Sequence, residues 1–134
     1  MTKFYVVLHP ADQPRWWMKP LDKTMQHCWV AKEHTLASGD KILLALENLY
    51  GYASMELLFV SVGDIADLIQ GAVVVEYETN IDPYKRAWIP EPITCVTTIK
   101  KLLGIHALSV QTPRQLYNYL LAHGGKIYGR IDGN

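Results

Sequence analysis

The segment at residues 90–104, PEPITCVTTIKKLLG, constrains the fold of this chain more than any other. Pro90 and Pro92 oppose a helix just upstream, because the residue before a proline is pushed towards extended geometry. Thr94 can then cap a helix by accepting a backbone N–H from the first turn, and Gly104 can end it. The pattern predicts an amphipathic helix with an apolar face at Val96, Ile99, Leu102 and Leu103, and with Lys100 and Lys101 facing outward.

The first residue of this predicted helix is Cys95, which makes it the main candidate for a functional side chain. The unpaired N–H groups and the positive end of the helix dipole favour a thiolate at that position. A free cysteine is, however, more often a small buried hydrophobe than a nucleophile. Both interpretations stay open until a base is found beside the sulfur.

Length and charge exclude several classes of protein. A chain of 134 residues is long enough for one domain with its own core, so we treat residues 1–134 as a single domain. The formal net charge is zero and no basic run stands out, which argues against a nucleic-acid partner. The two cysteines, Cys28 and Cys95, do not make a disulfide framework; one bridge is possible, and a reducing compartment fits equally well.

The opening residues, MTKFYVVLHP, are too briefly apolar for a signal peptide, and no segment approaches transmembrane length. The expectation is therefore a cytoplasmic protein with no membrane partner. We also find no phosphate-binding loop, dinucleotide fingerprint or other cofactor motif.

Runs rich in β-branched and aromatic residues predict strands at residues 4–8, 25–34, 41–47, 55–62 and 72–78. Besides the Cys95 helix, a short helix is predicted before Gly71 and a last one from Thr112-Pro113 to Gly124. Residues 105–110 should form an irregular connection or a short strand, and the tail should add an edge strand or fray. This order predicts an α+β fold: an antiparallel sheet of about five strands with the Cys95 helix packed on one face.

A hairpin brings a second group of polar residues together. His27 lies near the start of the strand at 25–34, where side chains emerge at the rim of a sheet. Antiparallel pairing with the strand at 41–47 returns Glu47 or Asn48 to the same end, where either could orient the imidazole. Alternatively, His27 bonds a backbone carbonyl and Glu47 is a solvated strand end. Strand alternation places Cys28 on the face opposite His27, so the two are not a local catalytic pair. We expect Cys28 to be inert, because only Cys95 lies at a helix start.

Four tryptophans are candidates for substrate contacts. Trp16 and Trp17 lie in a proline-flanked loop, Trp88 lies in the long loop at residues 80–92, and Trp29 lies on the histidine strand. For Trp16 and Trp17 the alternative is that one fills the core and the other lies on the surface, since tryptophan buries a large apolar area. A metal site built from His27, His34 and Cys95 is not expected, because these residues lack the paired spacing of metal ligands.

The histidine strand HCWVAKE, its hairpin partner and the later P-x-T-C-V-x-x-I-K-x-x-L-G helix resemble the papain-like thiol hydrolases in circularly permuted order. In cell-wall amidases of the NlpC type, the cysteine helix precedes the histidine strand. Here the histidine comes first, as in the group of lecithin:retinol acyltransferase, although the N-C-E-H context of those acyltransferases is absent. The segments TCVTTIKKLLGI and TPRQLYNYL also look like small proteins of bacteriophages and their hosts.

This resemblance implies a mechanism residue by residue. Cys95 would be the nucleophile, His27 its base and acid, and Glu47 or Asn48 the residue that orients His27. The implied reaction is hydrolysis of a peptide or other amide through a thioacyl intermediate, in the host cytoplasm if a phage encodes the chain. Two alternatives stay open: a papain-like binding module that engages a host protein without catalysis, and a structural domain in which Cys95 is only a core residue.

Overall fold

A computed structural model describes residues 2–11, 21, 23–49, 52–58, 71–79 and 94–130 of the chain. Within these ranges the chain forms two helices and six strands, and the first and last residues of each are as follows. The strands are β1 (Thr2–His9), β2 (His27–Thr35), β3 (Lys41–Leu49), β4 (Tyr52–Leu58), β5 (Val73–Thr79) and β6 (Lys126–Arg130). The helices are α1 (Cys95–Leu103) and α2 (Pro113–Ala122).

The strands form one sheet in the order β4-β3-β2-β1-β5-β6, and every neighbouring pair is antiparallel. The predicted α+β class is confirmed. All five predicted strands are present, and the tail adds β6 as an edge strand. β4 begins at Tyr52, three residues before the predicted start, and the predicted end at residues 59–62 lies outside the described residues. The predicted short helix before Gly71 lies outside the described residues.

Both helices begin and end largely where the sequence predicts. The hydroxyl of Thr94 accepts the backbone N–H of Thr97 at 3.1 Å, and the hydroxyl of Thr97 accepts the N–H of Thr94 at 2.8 Å. This reciprocal capping box satisfies two backbone donors at the start of α1. Gly104 ends the helix in the left-handed region at φ 73°, where a residue with a Cβ would be strained.

The pleat of the sheet divides the buried residues into two sets. One face packs against both helices, and its core comprises Phe4, Val6, Leu8, Cys28, Val30, Val73 and Val75 with Val96, Ile99, Leu103, Leu116 and Leu120 of the helices. The opposite face buries Tyr5, Val7, Trp29, Ala31, Leu43, Ala45, Ala72 and Val74. Burying each large aliphatic side chain contributes about 2 kcal/mol. The helix-side core packs α1 against the sheet, and this fixes the position of Cys95.

The prediction that Lys100 faces outward is wrong. Its side chain is fully buried, and its Nζ donates a hydrogen bond to the carbonyl of Val110 at 2.8 Å. Lys100 lies one helical turn after Val96 and so shares the core face, where its aliphatic stem packs and its ammonium reaches a carbonyl. That bond holds the connection at residues 105–110, which has no helix or strand. Lys101 is exposed, as expected.

Within the described ranges, neither helix has the length and apolar character needed to cross a membrane.

Candidate active site

Three neighbouring strands build the first part of the site at one rim of the sheet. His27 is the first residue of β2 and lies opposite His9, the last residue of β1. β2 and β3 pair from Val30 and Leu46 onward, so Glu47 lies just beyond the paired part of β3. The Nε2 atom of His27 and the Oε2 atom of Glu47 are 3.0 Å apart, and both side chains are half-buried. The hairpin therefore places a carboxylate on the imidazole.

Of the two candidates for the residue that orients His27, only Glu47 has a described side chain. Glu47 contacts His27, whereas the side chain of Asn48 lies outside the described part of the structure. The backbone of Asn48 pairs with Ala53 of β4. Because Glu47 uses Nε2, we infer that Nδ1 is the ring nitrogen available to a second partner.

That second partner is Cys95, which α1 brings to the rim from the helix side of the sheet. The sulfur is half-buried at the start of the helix. A hydrogen bond from the thiol of Cys28 is the largest influence lowering the pKa of Cys95, and burial acts against it. Together with the hydrogen bond and charge of His27 and the backbone N–H of Cys28, it lowers that pKa to about 4. A thiol in this environment is a thiolate at neutral pH.

His27 shows the complementary shift. Burial acts to lower the pKa of His27, but the hydrogen bonds with Cys95 and Glu47 outweigh it and raise the pKa to about 9. The hydrogen bond with His27 in turn lowers the pKa of Glu47. Between pH about 4 and pH about 9 the site therefore holds a thiolate, an imidazolium and a carboxylate in contact. This is the charge pattern of an activated thiol.

Cys28 lies beside Cys95 and not across the sheet from the site. Alternation does put Cys28 in the helix-side core and Trp29 in the opposite core. However, α1 packs on the helix-side face, so its first residue meets Cys28 directly. Burial is the largest of the causes that raise the pKa of Cys28 well above its ordinary value, and the nearby Cys95 charge adds to it. Cys28 therefore keeps its proton and acts as a donor.

His9 is the residue of the site that sequence reasoning missed. Its ring contacts that of His27 edge-on, with centroids 5.4 Å apart, and its Nδ1–H donates to the carbonyl of Pro10 at 2.7 Å. Its charge also contributes to the lowered pKa of Glu47. The signal was a histidine at the end of the first strand, but its meaning depends on β1 pairing with β2. That pairing is a long-range contact which no local pattern encodes.

His9, His27 and Glu47 form the one described group that could hold a metal ion, since their ligand atoms all lie within 4.8 Å of one another. His27 and Glu47 already satisfy each other through a hydrogen bond, so the cluster needs no ion to hold its geometry. The trio of His27, His34 and Cys95 considered from sequence is not brought together. His34 lies seven residues along β2 from His27, or about 23 Å at strand spacing.

The tryptophans predicted to contact substrate fall into two groups. Trp16, Trp17 and Trp88 lie outside the described residues. Trp29 is only 7% exposed and packs in the core on the face away from the helices. It is therefore reassigned from substrate contacts to the core, because its place in the pleat points it inward beside Val7 and Ala31.

Searches against protein-family models, curated proteins and solved structures gave no match for this chain. The chemistry of the site must therefore follow from its own geometry. A half-buried thiolate at a helix start, an imidazolium and an orienting carboxylate can together attack an electrophilic carbon and transfer a proton to a leaving group.

Proposed function

We propose that this chain is a cysteine-dependent hydrolase of amide or peptide bonds with a permuted papain-like arrangement. The observation that carries the proposal is a chain of contacts at one rim of the sheet. Cys95 contacts His27, and His27 contacts Glu47. Each member has the protonation state that its role requires, because the pKa of Cys95 is lowered to about 4 and that of His27 is raised to about 9. The three residues come from a helix and two strands, so rigid elements fix their spacing.

In the proposed reaction the thiolate of Cys95 attacks the carbonyl carbon of the substrate. The imidazolium of His27 then donates its proton to the departing amine, which leaves a thioacyl enzyme and a neutral imidazole. Neutral His27 next takes a proton from water, and the resulting hydroxide releases the acid from Cys95. The thiolate and the imidazolium are restored, so the cycle is balanced.

Glu47 has a supporting role in this scheme. Its carboxylate accepts a hydrogen bond from Nε2 of His27, which fixes the tautomer and turns Nδ1 towards the sulfur. The backbone N–H of Cys95 belongs to the first turn of α1, where backbone donors point away from the helix. It is well placed to stabilise the oxyanion that forms during the attack.

The chain order supports the permuted papain-like assignment. A histidine strand, a hairpin that supplies the orienting residue, and then a cysteine helix packed on an antiparallel sheet are the features that the sequence resemblance requires. In the described part of the chain they occur in that order, as β2, β3 and α1.

A mass-spectrometric acylation assay tests the proposal without knowledge of the natural substrate. The protein is mixed with p-nitrophenyl acetate as a minimal activated acyl donor, quenched in acid and measured as intact protein and as peptides. We expect a burst of nitrophenolate and one acetyl group on Cys95. The adduct should be lost in Cys95→Ala and kept in Lys101→Ala, a control on the exposed side of the same helix.

Two outcomes would count against catalysis. An adduct on Cys28, or equal labelling of Cys95 in the wild type and in His27→Ala, would show that the thiol is not activated as proposed. A binding module that engages a host protein would instead keep its biological effect in Cys95→Ala and His27→Ala, which a hydrolase would lose.

A further inference from the structure

The second cysteine of the chain touches the first, and the proposed reaction does not require a second thiol. Cys28 is the second residue of β2, is fully buried, and belongs to the core that Cys95 packs against. Both cysteines are free thiols. The S–H and the backbone N–H of Cys28 both hydrogen-bond to the sulfur of Cys95. Two thiols at hydrogen-bond contact, one of them half-buried at a helix start, are close enough for chemistry between them.

The two sulfurs differ in what can reach them and in what they can do. Cys95 is partly exposed and is a thiolate, which is the form that peroxides oxidise. Cys28 is sealed and protonated, so it is protected from direct attack by an oxidant or an alkylating agent. A buried thiol of this kind reacts only with a group already beside it. The one other thiol of the chain is Cys95, because the sequence has two cysteines.

We propose that Cys28 is a resolving cysteine, which captures peroxide-oxidised Cys95 as a reversible Cys28–Cys95 disulfide and so protects the active-site thiol from irreversible oxidation. The inference deepens the proposed function, because it rests on Cys95 being the reactive thiolate. It assigns a redox modification to that site, with a hydroperoxide as the oxidant.

The chemistry balances in two steps. The Cys95 thiolate attacks one oxygen of the hydroperoxide, the O–O bond breaks, and a sulfenic acid and an alkoxide or hydroxide result. The Cys28 sulfur then attacks the sulfenic sulfur, its proton leaves with the hydroxyl group as water, and the disulfide forms. His27 lies against Cys95 and can carry that proton to the leaving oxygen. A dithiol reductant converts the Cys28–Cys95 disulfide back to two thiols.

The geometry makes this capture faster than further oxidation. The S–S bond requires the two sulfurs to close from hydrogen-bond contact to about 2.05 Å. Cys28 is fully buried in the core, so we expect Cys95 at the start of α1 to make the approach. Capture is intramolecular, whereas formation of the sulfinic acid needs a second molecule of peroxide. This difference favours the disulfide by on the order of 10-fold or more at low peroxide.

The test is oxidation by hydrogen peroxide of the full chain, compared among the wild type, Cys28→Ser and Cys28→Ala. Intact mass, peptide mapping and thiol titration are read after brief exposure. For the wild type we expect the loss of two hydrogens, a crosslinked peptide pair containing Cys28 and Cys95, no free thiol, and full recovery with dithiothreitol. In both variants we expect sulfinic and sulfonic acid on Cys95 that dithiothreitol does not reverse. The rate comparison is made with Cys28→Ser, which keeps a hydroxyl donor beside Cys95 and should form these acids about 10-fold faster than the wild type.

Three results would overturn the inference. The first is sulfinic acid on Cys95 with Cys28 still free in the wild type, at the rate seen in Cys28→Ser. The second is a loss of two hydrogens that persists in Cys28→Ala, since the resolving group would then be a backbone nitrogen. The third is crosslinking between chains. Labelling by iodoacetamide separates this failure from failure of the proposed function: rapid labelling of Cys95 at acidic pH with no disulfide overturns only the resolving role.

Discussion

The two helices of this protein begin with nearly the same local structure and end up in different surroundings. Thr94 caps α1 and Thr112 caps α2, each accepting the N–H of the third residue into the helix. Each also has a reciprocal bond, from Thr97 and from Gln115, and neither has an acidic residue in its first turn. The helix dipole is therefore alike at both starts, although Pro113 has no backbone N–H at the position where Cys95 has one.

What differs is the neighbourhood of the first residue. In α1 that residue is Cys95, which meets His27 and Cys28 at the sheet rim. In α2 it is Pro113, which is buried in the core. A helix start supplies a modest electrostatic bias, typically below 1 kcal/mol at an exposed site. The specific hydrogen bonds from β2 turn that bias into an activated thiol, so the site belongs to the helix–strand contact and not to the helix alone.

The largest test of this comparison replaces the first residue of each helix. Cys95→Ala should lower hydrolysis by on the order of 10⁴-fold, because removal of a nucleophile leaves only binding and oxyanion stabilisation. Pro113→Ala should leave the rate unchanged, since α2 carries no group of the site. Circular dichroism should show both variants folded. Residual activity in Cys95→Ala close to that of Pro113→Ala would break the distinction between the two helix starts.

The next test removes the neighbour that distinguishes the two starts. In the wild type, the rate of Cys95 alkylation by iodoacetamide should fall as pH drops through about 4. The rate of hydrolysis should fall as pH rises through about 9. These limbs belong to the coupled pair, in which the thiolate gains a proton at the acidic end and the imidazolium loses one at the basic end. In His27→Ala the acidic limb should move up part of the way towards the unperturbed thiol value of about 8.5, because the larger influence, the Cys28 hydrogen bond, remains.

An unchanged acidic limb in His27→Ala would mean that the helix start and Cys28 activate the sulfur without the histidine. Peptide mapping serves as the control here, since alkylation must be scored at Cys95 alone. His34→Ala is the matched variant, because His34 lies at the exposed far end of the same strand.

A smaller effect is expected for the carboxylate. Glu47→Gln keeps an oxygen that can accept from Nε2 but removes the charge, so hydrolysis should fall by about 10²-fold. The negative charge stabilises the imidazolium, so its removal should lower the pKa of His27. The basic limb of the pH profile should therefore move to lower pH, whereas Glu33→Gln, farther along the sheet, should not move it. A basic limb that stays in place would assign the orienting role to another residue.

The smallest expected effects separate capping from chemistry. Thr94→Ala and Thr112→Ala should each lower the free energy of unfolding by about 1 kcal/mol, as measured by urea denaturation, because each removes an N-cap acceptor. Only Thr94→Ala should also slow the alkylation of Cys95, since fraying of the first turn displaces the sulfur. Equal alkylation rates in the two variants would show that the start of α1 is held by its strand contacts.

The sequence by itself determined what depends on short separations along the chain. The capping bonds of Thr94 join residues three apart, and the ending at Gly104 needs only a residue that accepts a positive φ. The β2–β3 hairpin likewise encloses a short turn, so the nearness of Glu47 to His27 followed from strand periodicity and antiparallel pairing. Fold class, helix starts and three members of the candidate site, Cys95, His27 and Glu47 (with Asn48 as its alternative), could therefore be predicted.

Only the tertiary structure decided which distant residues meet. His9 joins the site because β1 pairs with β2, and Cys28 touches Cys95 because α1 packs on one particular face of the sheet. Lysine is ordinarily a surface residue, yet Lys100 is buried because its Nζ reaches the carbonyl of Val110 in the following connection. Such contacts depend on register and on the choice of face. A local pattern cannot specify either, since the same alternating strand can be packed from either side until the rest of the chain is in place.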